Sequence, residues 1–180
     1  SGQRGWYGAD ASFVRFEGLT VRNGYRTEQD YGAGFYLNNV SELNLGDCLV
    51  YSNRIYLTQA NQWPRGAGIY ALDTYALMTN TVVRENSIDG GIGLWSGDAD
   101  GGGIYVANGN WRILNSTFWS NVAYLANNEG GIGGGLCLLN GSHLVSNCTV
   151  AYNVANWSRG WGGGIYMSGA NAVTARECVV

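Results

Sequence analysis

Lysine does not occur in this chain, proline occurs once, at Pro64, and histidine once, at His143. Charged residues together reach only 13%, about half the usual share. The net charge is −3 and the ten basic residues, all arginine, are scattered singly. No basic stretch is therefore available to hold nucleic acid or an anionic membrane surface. No apolar run approaches the roughly 18 residues of a membrane-spanning helix. Ser1-Gly2-Gln3-Arg4-Gly5 is not followed by an apolar segment, so no signal peptide is legible. A lone histidine and the lack of any Cys-x-x-Cys pair leave zinc and redox motifs unsupported. No serine sits in a nucleophile elbow, and no Gly-rich stretch precedes a helical pattern.

What is abundant is glycine, with 29 residues, asparagine, with 19, and aromatic side chains, at 13%. Few charges and many aromatics argue against disorder. Gly and Asn at this level point to many tight turns, and hence to an all-β chain. Self-comparison finds the reason. Gly32-Ala33-Gly34-Phe35-Tyr36 returns as Gly66-Ala67-Gly68-Ile69-Tyr70, Gly101-Gly102-Gly103-Ile104-Tyr105, Gly133-Gly134-Gly135-Leu136-Cys137 and Gly162-Gly163-Gly164-Ile165-Tyr166. The third glycines are 34, 35, 32 and 29 residues apart. A second signature lies downstream of each of the first four: Asp47-Cys48 to Asn53, Asn80-Thr81 to Asn86, Asn115-Ser116 to Asn121, and Asn147-Cys148 to Asn153. Gly18 to Gly24 reads as the same unit with Gly24 in the asparagine place, and Glu177-Cys178 begins another. From each asparagine to the next third glycine the count varies, 15, 17, 14 and 11, whereas the remainder of the unit keeps nearly constant length. Each unit is a fixed scaffold plus one variable insertion, and a solenoid would set all the insertions along one edge.

Within the scaffold the hydrophobic period is two, and helical periodicity is absent. Ile104 and Val106 point one way and Tyr105 the other; Phe35/Leu37, Ile69/Ala71, Leu136/Leu138 and Ile165/Met167 repeat this. A second strand carries Leu43/Leu45, Ala76/Met78 or Leu77, Ile113 and Leu144; a third carries Val50, Val83, Phe118 and Val150. Three short strands per turn bury one another only by stacking on the next turn. The glycine triplets supply a positive-φ corner and close backbone approach. The asparagine column suits a left-handed turn residue whose amide bonds its neighbours above and below.

The Gly-Gly-Gly-Ile-Tyr…Asn-Ser-Thr-Phe…Asn pattern, over residues 12 to 180, resembles the right-handed parallel β-helix repeats of large bacterial surface and secreted proteins. These include the chlamydial polymorphic outer-membrane proteins and related adhesin-like chains. Phe118-Trp119-Ser120-Asn121 fits their Phe-x-x-Asn motif; most copies here have Val in the Phe place. The resemblance implies an all-β, right-handed parallel β-helix of five to six rungs, and an extracellular or cell-surface location. It transfers no catalytic residue, because the same architecture also serves pectate lyases, polygalacturonases and phage tailspikes.

Candidate sites follow from the insertions and columns. Asp98 and Asp100, with Asp89, form the richest acidic insertion, and Glu28 and Asp30 stand in the first. They do not line up between rungs, and Gly-Asp-Ala-Asp-Gly is an incomplete calcium loop. A solvated loop is the preferred reading and Ca²⁺ at Asp98 and Asp100 the alternative; no other cofactor is expected. His143 reads as a surface strand residue. Cys48, Cys148 and Cys178 share a column with Thr81 and Ser116, which suggests a small buried position. Cys148 and Cys178 fall on successive rungs, about 4.8 Å apart, a separation that admits a disulfide; a stack of free thiols is the simpler expectation. Trp63, Trp95, Trp157 and Trp161 sit in the insertions. They are candidates for stacking sugar rings or packing on a partner, unless the insertions fold over the tyrosine ladder and hide it, the reading we favour. The Asn-x-Ser/Thr sites, such as Asn115 and Asn147, are expected from composition.

Residues 1–180 are expected to form a single β-helix domain, a fragment of a longer solenoid, since no polar capping repeat is legible at either end. The preferred function is a non-enzymatic structural or adhesive segment of an extracellular repeat protein. Its expected partners are carbohydrate, another cell-surface protein, or end-to-end copies of itself. The alternative is a polysaccharide lyase or glycoside hydrolase acting on an acidic polysaccharide. Ice binding would need regular threonine ladders, and Thr81, Thr117 and Thr149 do not keep one register.

Overall fold

A computed structural model describes residues 5–27, 31–59, 62–90, 98–125, 130–155 and 160–180. Every paired strand is parallel to its neighbour, and three sheets run the length of a solenoid of about five turns. Among the described residues there is no helix. The ten-stranded sheet contains both the first and the second scaffold strand of each unit. They are separate in Phe35–Val40 and Leu43–Gly46 but continuous in Leu136–Ser146 and Ile165–Arg176. The second sheet holds the third scaffold strand: Thr20–Arg22, Leu49–Tyr51, Val82–Arg84, Thr117–Trp119 and Thr149–Ala151.

The third sheet lies where the sequence suggested only insertion. Tyr25–Thr27, Arg54–Leu57, Ser87–Gly90, Val122–Ala123 and Val154–Ala155 follow directly on the asparagine place. These strands have two to four residues and dissimilar sequences, too short for a period to be read. The variable part of each unit is correspondingly shorter, and its residues just before the glycine triplet are again in register.

Alternation places the core as expected. Phe35, Ile69, Ile104 and Leu136 stack in one inward row of the first sheet, and Val50, Val83, Phe118 and Val150 in the row of the second; each is at most 1% exposed. The second scaffold strand departs from expectation at one rung. Val145, paired to Ile113, faces inward, whereas Leu144 pairs with Arg112 and is half-buried. Two apolar residues side by side leave the parity of a strand undecided in sequence. Likewise Met78 is inward, while Leu77 is 38% exposed. His143 is not a surface residue. It pairs with the buried Trp111, is itself buried, and its Nε2 lies 2.6 Å from the Asn140 carbonyl oxygen. Burial pushes its pKa down, so the ring is held neutral.

An amide ladder divides this core from a smaller one beneath the third sheet, formed by Ala33, Ala67, Ile55, Ile88 and their neighbours. Asn53 Nδ2 donates to Asn86 Oδ1, Asn86 Nδ2 to Asn121 Oδ1 and Asn121 Nδ2 to Asn153 Oδ1, at 2.9, 3.0 and 2.9 Å. Each acceptor oxygen also takes the backbone N–H of the asparagine before it. The left-handed residue is the one preceding each ladder asparagine, Ser52, Glu85, Ser120 or Tyr152, not the asparagine itself. Gly24 occupies the ladder's place in its rung, donating its N–H to Asn53 Oδ1. Third glycines are required by contact. A Cβ on Gly103 would lie 2.5 Å from the Gly135 oxygen and 3.0 Å from the Asn121 amide carbon.

The cysteine column is also explained. Thr81 and Ser116 hydroxyls donate to the carbonyl two residues back, and the Cys48, Cys148 and Cys178 thiols do the same. Any small donor satisfies this corner, hence the interchange.

Candidate functional site

The residue before each glycine triplet belongs to a narrow parallel ladder, Tyr31, Arg65, Asp100, Ile132, Trp161, which widens to two residues where Ala99–Asp100 pairs with Gly131–Ile132. The positive-φ first glycine turns the chain there, so these side chains lie over the outward row of the first sheet, Tyr36, Tyr70, Tyr105, Cys137 and Tyr166. The tyrosine ladder forms as the repeat implies, and the chain's own insertions cover it. Tyr70 is 5% and Tyr105 3% exposed. Their rings stack at 5.5 Å, and Tyr31 stacks on Tyr70 at 4.7 Å.

Among these rings Arg65 and Asp100 make an ion pair, with the Arg65 Nε donating to Asp100 Oδ2 at 3.2 Å. The guanidinium lies 5.1 Å from the centroid of Tyr105 and 6.0 Å from that of Tyr31, cation–π distances. Asp100 Oδ1 is buried with no hydrogen-bond partner. Burial pushes the Asp100 carboxyl up to about 6, against the lowering effect of Arg65, and Asp98 adds to the rise. Burial also pushes the Tyr70 hydroxyl up to about 12 and raises Tyr105 and the Cys137 thiol. A phenol and a thiol held protonated in this way are poor nucleophiles. The cluster fastens the insertions to the scaffold.

The acidic and tryptophan candidates disperse. Asp98 is exposed and its Oδ1 accepts the Gly130 N–H at 3.1 Å, while Asp100 faces Arg65. No group of three or more His, Cys, Asp or Glu is arranged to hold a metal among the described residues. Trp63 and Trp161 are 45% and 62% exposed. Trp161 meets Tyr166, at the edge of the tyrosine ladder, at 6.1 Å between ring centroids, and stands three ladder steps beyond Arg65, about 14 Å at strand spacing. Trp95 and Trp157, with Glu28 and Asp30, lie outside the described residues. Cys148 and Cys178 stand in adjacent rungs as free thiols. Burial raises the Cys148 thiol, and Cys178 is close enough to add to that rise.

A second group of side chains sits on the constant scaffold and not on the insertions. On the outer face of the second sheet Arg22, Tyr51, Arg84 and Trp119 form one row in register. Arg22 Nη1 donates to the Tyr51 hydroxyl at 2.8 Å, and the Arg84 guanidinium lies 4.6 Å from the Tyr51 ring centroid. Trp119, 40% exposed, meets Tyr152, 72% exposed, at 4.3 Å between ring centroids. The signal was present in the sequence: each follows an inward residue, as in Val21-Arg22, Val50-Tyr51, Val83-Arg84 and Phe118-Trp119. Around the corner, on the outer face of the first sheet, an open cleft of about 300 Å³ is lined by Arg15, Glu17, Asn44, Asp47, Leu77 and Thr79. It exists because Gly46 leaves the row empty there; a Cβ would touch nothing nearer than 3.7 Å.

Fold and surface together define a parallel β-solenoid with an aromatic-bearing exterior. The chain matches no protein-family model, no curated protein and no solved structure.

Proposed function

We infer that this chain is a non-enzymatic, adhesive segment of an extracellular or cell-surface repeat protein of the bacterial type, and that it binds carbohydrate. One observation carries the reading. Trp63, Trp119, Tyr152 and Trp161 are between 40% and 72% exposed, within a wider set of exposed aromatic side chains that includes Tyr7, Phe13 and Tyr75. Large aromatics held in water on a rigid scaffold are what a sugar-stacking surface requires, and they are a liability without a partner. The one deeply buried carboxylate among the described residues, Asp100, faces Arg65 beneath a covering of rings. Retaining or inverting sugar hydrolysis needs a pair of carboxyl groups within reach of a bound chain.

The test is a glycan array probed with the purified chain, paired with a depolymerisation assay on acidic polysaccharides. Saturable glycan binding without chain cleavage is the expected result. Cleavage that is lost in Asp98→Asn or Asp100→Asn would overturn the reading in favour of a lyase or hydrolase.

A further inference from the structure

We propose that the row on the second sheet is the glycan site, and that its ligand is a linear acidic oligosaccharide lying across the strands, along the solenoid axis. This rests on the carbohydrate-binding reading above and adds the place and the ligand class. The row has two halves. Arg22 and Arg84 are two rungs apart, about 9.6 Å, and both contact Tyr51, which lies between them. The ring pre-orders two guanidinium groups that would otherwise lose rotamer freedom on binding. Further along the same row, Trp119 and Tyr152 present the exposed ring surfaces.

A neutral sugar would use only the aromatic half, and a simple anion only the cationic half. One ligand engages both: a chain of pyranose rings carrying carboxylates. A pyranose stacks its C–H face on Trp119 and Tyr152, while uronate carboxylates reach Arg22 and Arg84. The two-rung interval between the arginines is commensurate with the disaccharide repeat of an extended 1,4-linked chain, whose alternate residues present the same face. From Arg22 to Ala151, the register partner beside Tyr152, the row takes four strand steps, about 19 Å, room for roughly four sugars. Charge complementarity points the same way. The chain carries net −3, yet this row holds two arginines, with Glu85 paired to Arg84. That ion pair is half-exposed and gives way to a ligand carboxylate at little cost.

The experiment is isothermal titration of the full chain with a 1,4-linked uronate tetrasaccharide, the neutral tetrasaccharide of the same linkage, a sulfated tetrasaccharide and a poly-glutamate peptide. The uronate is expected to bind, more weakly as salt rises, with the neutral chain at least about tenfold weaker, the loss expected from one charge-assisted contact. Trp119→Ala and Arg84→Gln should each weaken uronate binding by about tenfold or more, with urea midpoints unchanged because both side chains are surface groups. Equal binding of poly-glutamate, unaffected by Trp119→Ala, would reduce the row to an ion exchanger and overturn the proposal; so would a sulfated chain bound in preference to the uronate. Glycan binding that survives both substitutions but is lost in Trp63→Ala or Trp161→Ala would overturn the site and leave the adhesive reading standing. Binding of no glycan at all would remove both.

Discussion

Replacing Asn86 by alanine tests the central physical claim of this fold, that the amide ladder and not only the apolar core holds successive rungs together. Asn86 is wholly buried. Its Oδ1 accepts the backbone N–H of Asn53 at 3.1 Å and the side-chain amide of Asn53 at 2.9 Å. Its Nδ2 donates to the Val50 carbonyl at 3.0 Å and to Asn121 Oδ1 at 3.0 Å. Truncation leaves Asn121 Oδ1 partly satisfied, because the backbone N–H of residue 86 still reaches it. The two Asn53 donors lose their acceptor where no water reaches. A buried polar group left unpaired costs about 1–3 kcal/mol, so the expected loss is about 4 kcal/mol once a small cavity is added. That is a large share of the roughly 5–15 kcal/mol that stabilises a domain. The assay is equilibrium urea unfolding, followed by far-ultraviolet circular dichroism and by tryptophan fluorescence. Coincidence of the two transitions must be checked, since solenoids can unfold rung by rung. Asn153→Ala should cost less than Asn86→Ala, because Asn153 is partly exposed and water can replace the amide. A loss below about 1 kcal/mol for Asn86→Ala, or equal losses at the two positions, would refute the reasoning.

Other predictions use the same scaffold. Gly103→Ala forces a Cβ within 2.5 Å of a backbone oxygen and should cost about 3 kcal/mol. Gly46→Ala, whose Cβ would make only ordinary contacts at 3.7 Å and beyond, should stay within about 0.5 kcal/mol; matched urea midpoints for the two would contradict the close-approach argument. The Asp100 carboxyl, raised from 3.8 to about 6 in the folded chain, takes up a proton more readily folded than unfolded. Its contribution to stability is therefore fully present below about pH 4 and is lost as pH rises through 6. The fall from pH 4 to pH 8, measured relative to Asp100→Asn, should be about 3 kcal/mol, and parallel pH profiles for the two chains would contradict it. Thiol labelling of the native chain should modify Cys178 first, with Cys48, Cys137 and Cys148 reacting only on unfolding, because those three are buried. Rapid native modification of Cys137, detected by mass spectrometry of the labelled peptides, would show that the tyrosine ladder is not covered.

The features legible in sequence are those fixed by backbone sterics and by the two-residue period. The glycine triplets, the asparagine column, the interchange of Cys, Ser and Thr, and most inward rows need specific residues at constant spacing. Local pattern could not decide parity where two apolar residues adjoin, as at Leu144-Val145, because only the partner rung fixes the register. The third sheet was hidden because strands as short as Val122–Ala123 carry no period of their own. The covering of Tyr70 and Tyr105 depends on where Tyr31 and Arg65 come to rest, a tertiary matter. The burial of His143 is illegible for a related reason: its neighbour across the strands, Trp111, is an inward residue that spacing alone does not mark. The Arg22 to Trp119 row was readable, yet the variable insertions looked the more natural home for function than the constant scaffold.

The amide ladder also gives the solenoid a sense of direction. Inside, the Oδ1 atoms of Asn86, Asn121 and Asn153 accept from the rung before, while the amide nitrogens of Asn53, Asn86 and Asn121 donate one hydrogen to the later rung and the other to a carbonyl of the earlier one. On the outer corners the side-chain donors point only to the earlier rung, Asn39 to Asp10, Asn80 to Asp47, Asn108 to Asp73 and Asn140 to Asn108. Each rung therefore completes the one before it, and damage to a single corner or ladder asparagine is felt first on the side of the earlier rung.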